Sequence, residues 1–301
     1  AGRAAGRRAF LLTPPVRRRW VFRVRGLWRL VGGAALVCVA TFLLLPLGGL
    51  IYKAGWRAVR EGEGWQRGWQ LTKFLHVMAE SPGDFARELA NTTMAALSAT
   101  LLALAVAVPL AWLAVGADRR RWMSTAGRGA TWLVVALWAL PGPVIGVLVI
   151  LLLNRPGVPG FVYLYDRTLA GPVLALVARI LPLVVVIVWA GLRTVPMATL
   201  EAAELAGAGW WTRLLRVALP QRRFALMVAA AVGLAAASGE LAAVSLVVPP
   251  GHELVSTHLL NLLHYGIEDR VAGLAVWLYA WFAGLSLIIT AVLARRLFRL
   301  Q

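Results

Sequence analysis

The chain has 301 residues, 60% of them hydrophobic and 15% charged, where a soluble domain has about 45–50% apolar and roughly 25% charged residues. That balance excludes an ordinary soluble domain, because the apolar excess is gathered into blocks nearly free of charge and long enough to cross a bilayer. The net charge of +18 invites a nucleic-acid reading, but the arginines cluster beside the apolar blocks, where they would meet lipid headgroups; the expected partner is membrane lipid, with no nucleic acid. The single cysteine, Cys38, lies within an apolar block and reads as packing, since one cysteine builds neither a disulfide framework nor a metal cluster.

A membrane-spanning helix needs about 20 apolar residues. In chain order, a basic tail (1–29) leads into a first span at Leu30–Tyr52, too long and too far from the start to be a signal peptide. The segment 53–91 follows, with Trp56, Trp65 and Trp69 among charges, and is expected to lie partly as an interfacial helix. Asn91 is placed to cap a second span, Thr92–Val115. Arg119–Arg121 precede a third, Ala130–Leu153, and read as headgroup contacts. The remaining spans are Ala170–Leu192, Phe224–Val248 and Val271–Ala294. Pro46, Pro109, Pro141, Pro143, Pro172 and Pro182 fall inside spans. Proline is ordinary in membrane helices, and so many interruptions also suit a protein whose helices move. The expected fold is all-α, a polytopic bundle of six transmembrane helices occupying residues 30–301 as one domain behind the tail.

Orientation follows from the loops. With the N-terminus inside, segments 1–29, 116–129, 193–223 and 295–301 face the cytoplasm and hold 21 basic residues against three acids, Asp118, Glu201 and Glu204. Segments 53–91, 154–169 and 249–270 hold nine of each sign. The positive-inside rule puts both termini in the cytoplasm. Arg179 and Glu240 remain, each within a span. Ionisable groups there are functional candidates by default; the two either line a pathway or form a buried ion pair that fixes helix register.

The longest inside loop after the tail, 193–223, reads RTVPMATLEAAELAGAGWWTRLLRVALPQRR. Pro196 suits a first helical turn, where its missing N–H is no loss. Met197 to Ala206 favour helix, Gly207 and Gly209 permit a turn, and Trp210 to Leu219 offer a second short helix ended by Pro220. A helix, a glycine break and a helix lying along the membrane has the form of a docking element, or of a hairpin that only packs on its own bundle. The segment resembles the signature of permeases of binding-protein-dependent ABC importers: Glu201-Ala202-Ala203, three residues, Gly207, then Val217, Leu219 and Pro220 at matching spacing, with Val217 departing from the usual isoleucine by one methylene.

The resemblance implies the type I importer permease fold, with this loop as a cytoplasmic coupling helix docked on a separate dimeric ABC ATPase that carries ATP and Mg. It implies roles as well: a polar contact from Glu201, close approach at Ala202 and Ala203, a turn at Gly207, and a fixed return to the membrane at Val217, Leu219 and Pro220. It further implies a periplasmic or lipid-anchored substrate-binding protein, a second permease half, fused or a separate copy, and residence in the bacterial inner membrane. No P-loop pattern is present in the chain, so it is read as a transport subunit, not an enzyme, with no cofactor of its own.

Asn91-Thr92, and the run from Gly239-Glu240-Leu241 through Pro249-Pro250-Gly251 to Leu263-His264-Tyr265-Gly266, look like the C-terminal half of ferric-iron-type permeases, with the basic tail as the linker from a first half. Ferric iron is therefore the expected substrate, with thiamine, sulfate, molybdate and polyamine systems as alternatives that use similar permeases. His252, His258, His264 and Tyr265 lie in or near the last outside loop, but a tight metal site is not expected on a path that substrate must leave quickly, so no metal ligand is assigned. Two other classes make different demands on the sequence. An ion-coupled secondary transporter would show inverted repeats, and an intramembrane enzyme would need a catalytic constellation within the spans; the sequence offers neither.

Overall fold

A computed structural model describes residues 26–301 apart from 62–63, 118–122, 266–268, 282–283 and 285–301. The basic tail before Gly26, Arg119–Arg121, Gly266 and the end of the expected sixth span lie outside the described residues. The chain divides into two units, residues 1–49 and 50–301. The first holds most of α1 (Leu27–Gly55), a 29-residue apolar helix that runs through Pro46.

The second unit opens with an antiparallel hairpin, β1 (Trp56–Glu61) and β2 (Gly64–Trp69), in which Trp56 pairs with Trp69. The expectation for 53–91 is an interfacial helix over part of the segment, and this hairpin occupies the part before that helix. Its physical reason is local: Gly55 lies so close to the Trp69 indole that a Cβ there would stand 2.1 Å from Nε1, and the same Nε1 donates to the Ile51 carbonyl at 3.3 Å. The helix of this segment comes after the hairpin, as α2 (Leu71–Asp84), and it is fastened to the helical residues 269–281. Trp277 Nε1 donates to the Met78 carbonyl at 2.7 Å, and Gly273 admits Val77 and Ser81 where a Cβ would lie 2.5 and 2.7 Å from their side chains. Lys73 bridges to Asp269 at 3.2 Å and to the Trp56 carbonyl at 2.7 Å. Burial alone would raise the Asp269 carboxyl, but the Lys73 ammonium and the Arg270 N–H outweigh it and hold the group below the usual aspartate range.

The core of this unit is built by α3 (Ala86–Ala117), α4 (Met123–Ala139), α5 (Gly142–Leu153), α7 (Ala170–Arg193) and α11 (Arg223–Ser238), with the short α6 (Phe161–Arg167) before α7. At about 1.5 Å per residue, the 32-residue α3 is longer than a bilayer's hydrocarbon core is thick. Its sequence explains its packing. Ala95, Ala96, Ala99, Ala103, Ala107 and Ala111 recur at helical spacing and are buried, a seam of small side chains that lets α7 approach closely. The opposite face carries Met94, Leu97, Leu101, Leu102 and Val106, all exposed, as a helix facing lipid requires. At the crossing of α3, α7 and α11, Gly233 takes the Val184 and Thr100 methyls, which would stand 3.1 and 3.3 Å from any added Cβ.

Two of the expected spans are broken rather than continuous helices. Ala130–Leu153 is not one helix: α4 and α5 meet at 108°. Pro141 sits between them in an extended conformation (φ −60°, ψ 144°) and Pro143 occupies the first turn of α5, so the backbone donors needed to continue α4 are missing. Phe224–Val248 is not one helix either. α11 ends at Ser238, residues 242–247 run as turns, and α12 (Val255–His264) follows. Glu240 accounts for the stop, because its Oε1 accepts the Ala243 N–H at 3.1 Å and draws the chain into a turn. The turn segment is cradled by glycines: a Cβ on Gly142 would meet Ala242 Cβ at 2.7 Å, on Gly146 the Ala243 carbonyl at 3.0 Å, and on Gly171 the Val247 carbonyl at 3.0 Å. Three helices are long and apolar enough to cross a membrane by themselves, in α1, α3 and α7, and counting each bent pair as one span gives five among the described residues.

Candidate functional site

The loop between α7 and α11 is ordered by its own chemistry. Thr194 turns the chain out of α7, its Oγ1 donating to the Gly191 carbonyl at 2.8 Å. Pro196 caps α8 (Met197–Leu205). At the far end Gly207 is left-handed, with φ +81°. The Gly207 N–H donates to the Glu204 carbonyl at 2.9 Å, and the Ala208 N–H to the Ala203 carbonyl at 2.9 Å. This pair of bonds is a Schellman closure, which glycine favours because it has no Cβ to oppose a positive φ. It gives a physical meaning to the spacing from Glu201 to Gly207: about one and a half helical turns to the end of α8, then the left-handed stop.

Beyond it, α9 (Trp210–Thr212), a π-helical turn (Arg213–Ala218) and α10 (Leu219–Gln221) continue as one helix, which meets α11 at 81°. Two polar ties hold this arrangement, and the sequence reading missed both. Glu204 Oε2 accepts from Arg213 Nη1 at 2.7 Å, bridging α8 to the returning helix. Arg222 donates to the Thr194 carbonyl, closing the base of the loop across 28 residues. A charge pair straddling the two glycines was the available signal for the first; nothing in the spacing pointed to the second.

The loop has an inner and an outer face. Leu200, Leu214 and Ala218 are buried, and Trp210 stacks edge-on with Trp112 of α3 at 6.5 Å. Met197, Glu201 and Leu205, one helical turn apart on α8, form an exposed stripe, and Leu205 is 91% exposed. Ala202 and Pro220 are also exposed, while Ala203, Val217 and Leu219 are half-buried. The seven residues singled out by spacing thus divide: Glu201 and Ala202 face outward, Gly207 makes the turn, and Val217 and Leu219 pack toward the core.

Glu240 and Arg179 do meet. Arg179 Nε donates to Glu240 Oε2 at 3.2 Å, with side-chain exposures of 36% and 15%. They line a cavity of about 220 Å³ together with Trp138, Pro182 and Leu183. The Ser256 hydroxyl donates to the Glu240 carbonyl at 3.1 Å. The histidines do not converge. His252 and His264 each face a nearby backbone carbonyl, Tyr265 is exposed, and His258 pairs with Glu253.

Residues 107–301 match the family described as binding-protein-dependent transport system inner membrane component. The chain belongs to that family. It is accordingly a multi-pass inner-membrane permease of a binding-protein-dependent ABC importer, a transport component that is not itself catalytic, with ATP handled by a partner ATPase. The matched region includes the whole loop 193–223. Among solved structures, the permease is similar to a chain from a bacterial ABC transporter involved in the import of the acidic polysaccharide alginate, with 18% identity over 89% of this chain and 96% of that one, and a TM-score of 0.55. At that identity the likeness shows the fold, the all-helical membrane permease fold of type I importers. No curated protein matches.

Proposed function

We propose that the loop 193–223 is the surface through which the partner ATPase drives this permease, and that Met197, Glu201 and Leu205 are its grip. One observation carries the reading. The loop is tied across its glycine turn by Glu204–Arg213 and at its base by Arg222–Thr194, yet it presents an apolar side chain, Leu205, that is 91% exposed next to an exposed carboxylate. A rigid projection tipped by a leucine and a carboxylate suits a groove on another protein: the leucine supplies desolvation, and Glu201 a charge-assisted hydrogen bond. Closure of the ATPase would then move α8 as a unit, and the 81° junction at Arg222 would pass that motion to α11.

On this reading the chain has six spans with both termini cytoplasmic, behind a basic tail at 1–29, and works with a second permease half, fused or separate, and a periplasmic or lipid-anchored binding protein. The Arg179–Glu240 pair lies on the transport path. Ferric iron is the proposed cargo, supported by the resemblance of 91–92 and 239–266 to ferric-iron-type permeases. The test is retention of the ATPase on the purified permease. Leu205→Asp and Glu201→Ala should each lower the retained ATPase at least about tenfold, as expected of interface anchors, while leaving the permease monodisperse. Unchanged retention in both variants would overturn the grip. Cargo is tested separately, by which loaded binding protein stimulates hydrolysis in the reconstituted importer; stimulation by a thiamine-loaded or sulfate-loaded protein in place of an iron-loaded one removes iron.

A further inference from the structure

A second polar cluster lies away from both sites, where the start of α3 meets the start of α12. Glu88 stands in the first turn of α3, Glu253 just before α12, and His258 within α12. Their backbones are pinned together. Asn91 Nδ2 donates to the Glu253 carbonyl at 3.2 Å, and the buried Thr92 hydroxyl accepts the Val255 N–H at 2.9 Å. Phe85 sets its edge against the His258 ring at 5.2 Å, above a small apolar cluster with Val255 and Leu274. The cluster is thus held between α3 and α12 on an apolar floor.

Its hydrogen bonding does not close. His258 Nδ1 lies 2.7 Å from Glu253 Oε2 and 3.8 Å from Glu88 Oε1. At 2.7 Å that nitrogen is within hydrogen-bond distance of Glu253 alone, since the 3.8 Å to Glu88 is too long for a hydrogen bond. The second oxygen of Glu88 is buried with no hydrogen-bond partner. One N–H cannot serve two carboxylates, whereas one cation between them can.

We propose that Glu88, Glu253 and His258 bind a divalent zinc-class ion. One ligand atom from each residue lies within 4.8 Å of the other two. Around a tetrahedral zinc with bonds of about 2.0–2.1 Å, ligand atoms stand about 3.3 Å apart, so the 2.7 Å contact need open and the 3.8 Å contact need close by about half an ångström each, and the Glu88–Glu253 pair, within 4.8 Å, need close by at most about 1.5 Å, within reach of side-chain rotation. Two carboxylates and a neutral imidazole cancel the charge of a divalent ion. The nitrogen donor favours zinc over magnesium or calcium, which take oxygen. Three protein ligands leave a fourth position for water. The backbone ties at Asn91 and Thr92 and the apolar floor do the orienting that outer shells do in such sites. The ion would staple α3 to α12 and would be resident, independent of whichever cargo the permease carries. The sequence could not show this, because Glu88 and His258 are 170 residues apart and neither sits in a metal-ligand spacing.

The test uses the full chain without a histidine tag, purified in detergent, stripped with EDTA, desalted and titrated with zinc chloride. Wild type should take up about one zinc per chain and gain thermal stability that rises with the logarithm of zinc concentration above the dissociation constant, as a ligand of the folded state must. His258→Gln and Glu88→Gln should each weaken zinc binding by more than about 100-fold, since disturbing even an outer-shell partner loses 10–100-fold. Both variants should match wild type in elution and in metal-free thermal midpoint, because glutamine keeps the packing volume. Absence of stoichiometric zinc on the stripped wild type overturns the site, and so does equal zinc binding by wild type and both variants. If the glutamine variants fail to fold, the wild-type stoichiometry and the zinc-dependent thermal shift still decide it.

Discussion

Glu240 does two jobs with its two oxygens, and they can be separated. One accepts from Arg179, the other from the Ala243 N–H that turns the chain out of α11. Glu240→Gln removes the charge but keeps a carbonyl oxygen for the turn, whereas Glu240→Ala removes both. Losing a hydrogen bond to a charged group is worth about 1.5–3 kcal/mol, and the lower end applies because Arg179 is about a third exposed. Losing a side-chain cap adds about 1 kcal/mol. The expected order of thermal midpoints in detergent is therefore wild type, then Glu240→Gln, then Glu240→Ala, with Arg179→Gln close to Glu240→Gln. Equal midpoints for the Gln and Ala variants would show that the turn does not need this side chain.

Close approach of backbones sets how the elements meet, and glycine marks where. Gly191 of α7 faces Ala225 of α11, with Ala225 Cβ at 2.3 Å from any added Cβ, and Gly142 of α5 faces Ala242 at 2.7 Å. Neither obstacle is the flexible end of a long side chain, so helix or turn must shift. Gly191→Ala and Gly142→Ala should each destabilise by about 1–3 kcal/mol, the usual range for overpacking. Gly157, with open space around it and no positive φ, should accept alanine without loss. Thermal midpoints of the three variants, measured side by side, check this; a neutral Gly191→Ala would mean that α7 and α11 are not so closely packed. The glycines also explain what the sequence could and could not disclose about elements. α3 and α7 were legible because a long apolar run bounded by polar residues leaves a helix no alternative in lipid. The break in 130–153 was half legible: Pro141 and Pro143 were seen as interruptions, but a proline tells of a kink and not of a 108° bend. The turn after Ser238 was not legible, since Ala242 to Val248 are as apolar as any span. What makes them turn is a tertiary cradle of glycines from α5 and α7 and the Glu240 carboxylate. The loop 193–223 was legible as helix, turn and helix because Pro196 and Gly207 act locally, although the second helix runs one residue past Pro220, to Gln221, instead of ending at it; its ties at Glu204–Arg213 and Arg222–Thr194 depend on contacts across the turn.

At the scale of the molecule, the proposed coupling depends on which side of the bilayer the loop 193–223 occupies. The coupling proposal needs it on the cytoplasmic side, the side that the positive-inside rule expects for its basic residues. The loop 154–169, which holds α6, should then lie on the opposite side, one span away through α7. Both sites offer exposed positions that tolerate change: Ala206 follows α8 in ordinary right-handed geometry, and Gly157 stands in open space. With Cys38 replaced by serine, Ala206→Cys and Gly157→Cys each supply a single thiol. A membrane-impermeant maleimide applied to intact cells stripped of their outer membrane should label Gly157→Cys at once, and Ala206→Cys only after permeabilisation. The reverse pattern would put Leu205 and Glu201 on the side without nucleotide and end the coupling proposal. Labelling of both from outside would mean that 170–193 does not span. A helix of 24 residues extends about 36 Å, enough to cross a hydrocarbon core of about 30 Å, so opposite labelling of its two flanks is the outcome expected if it spans.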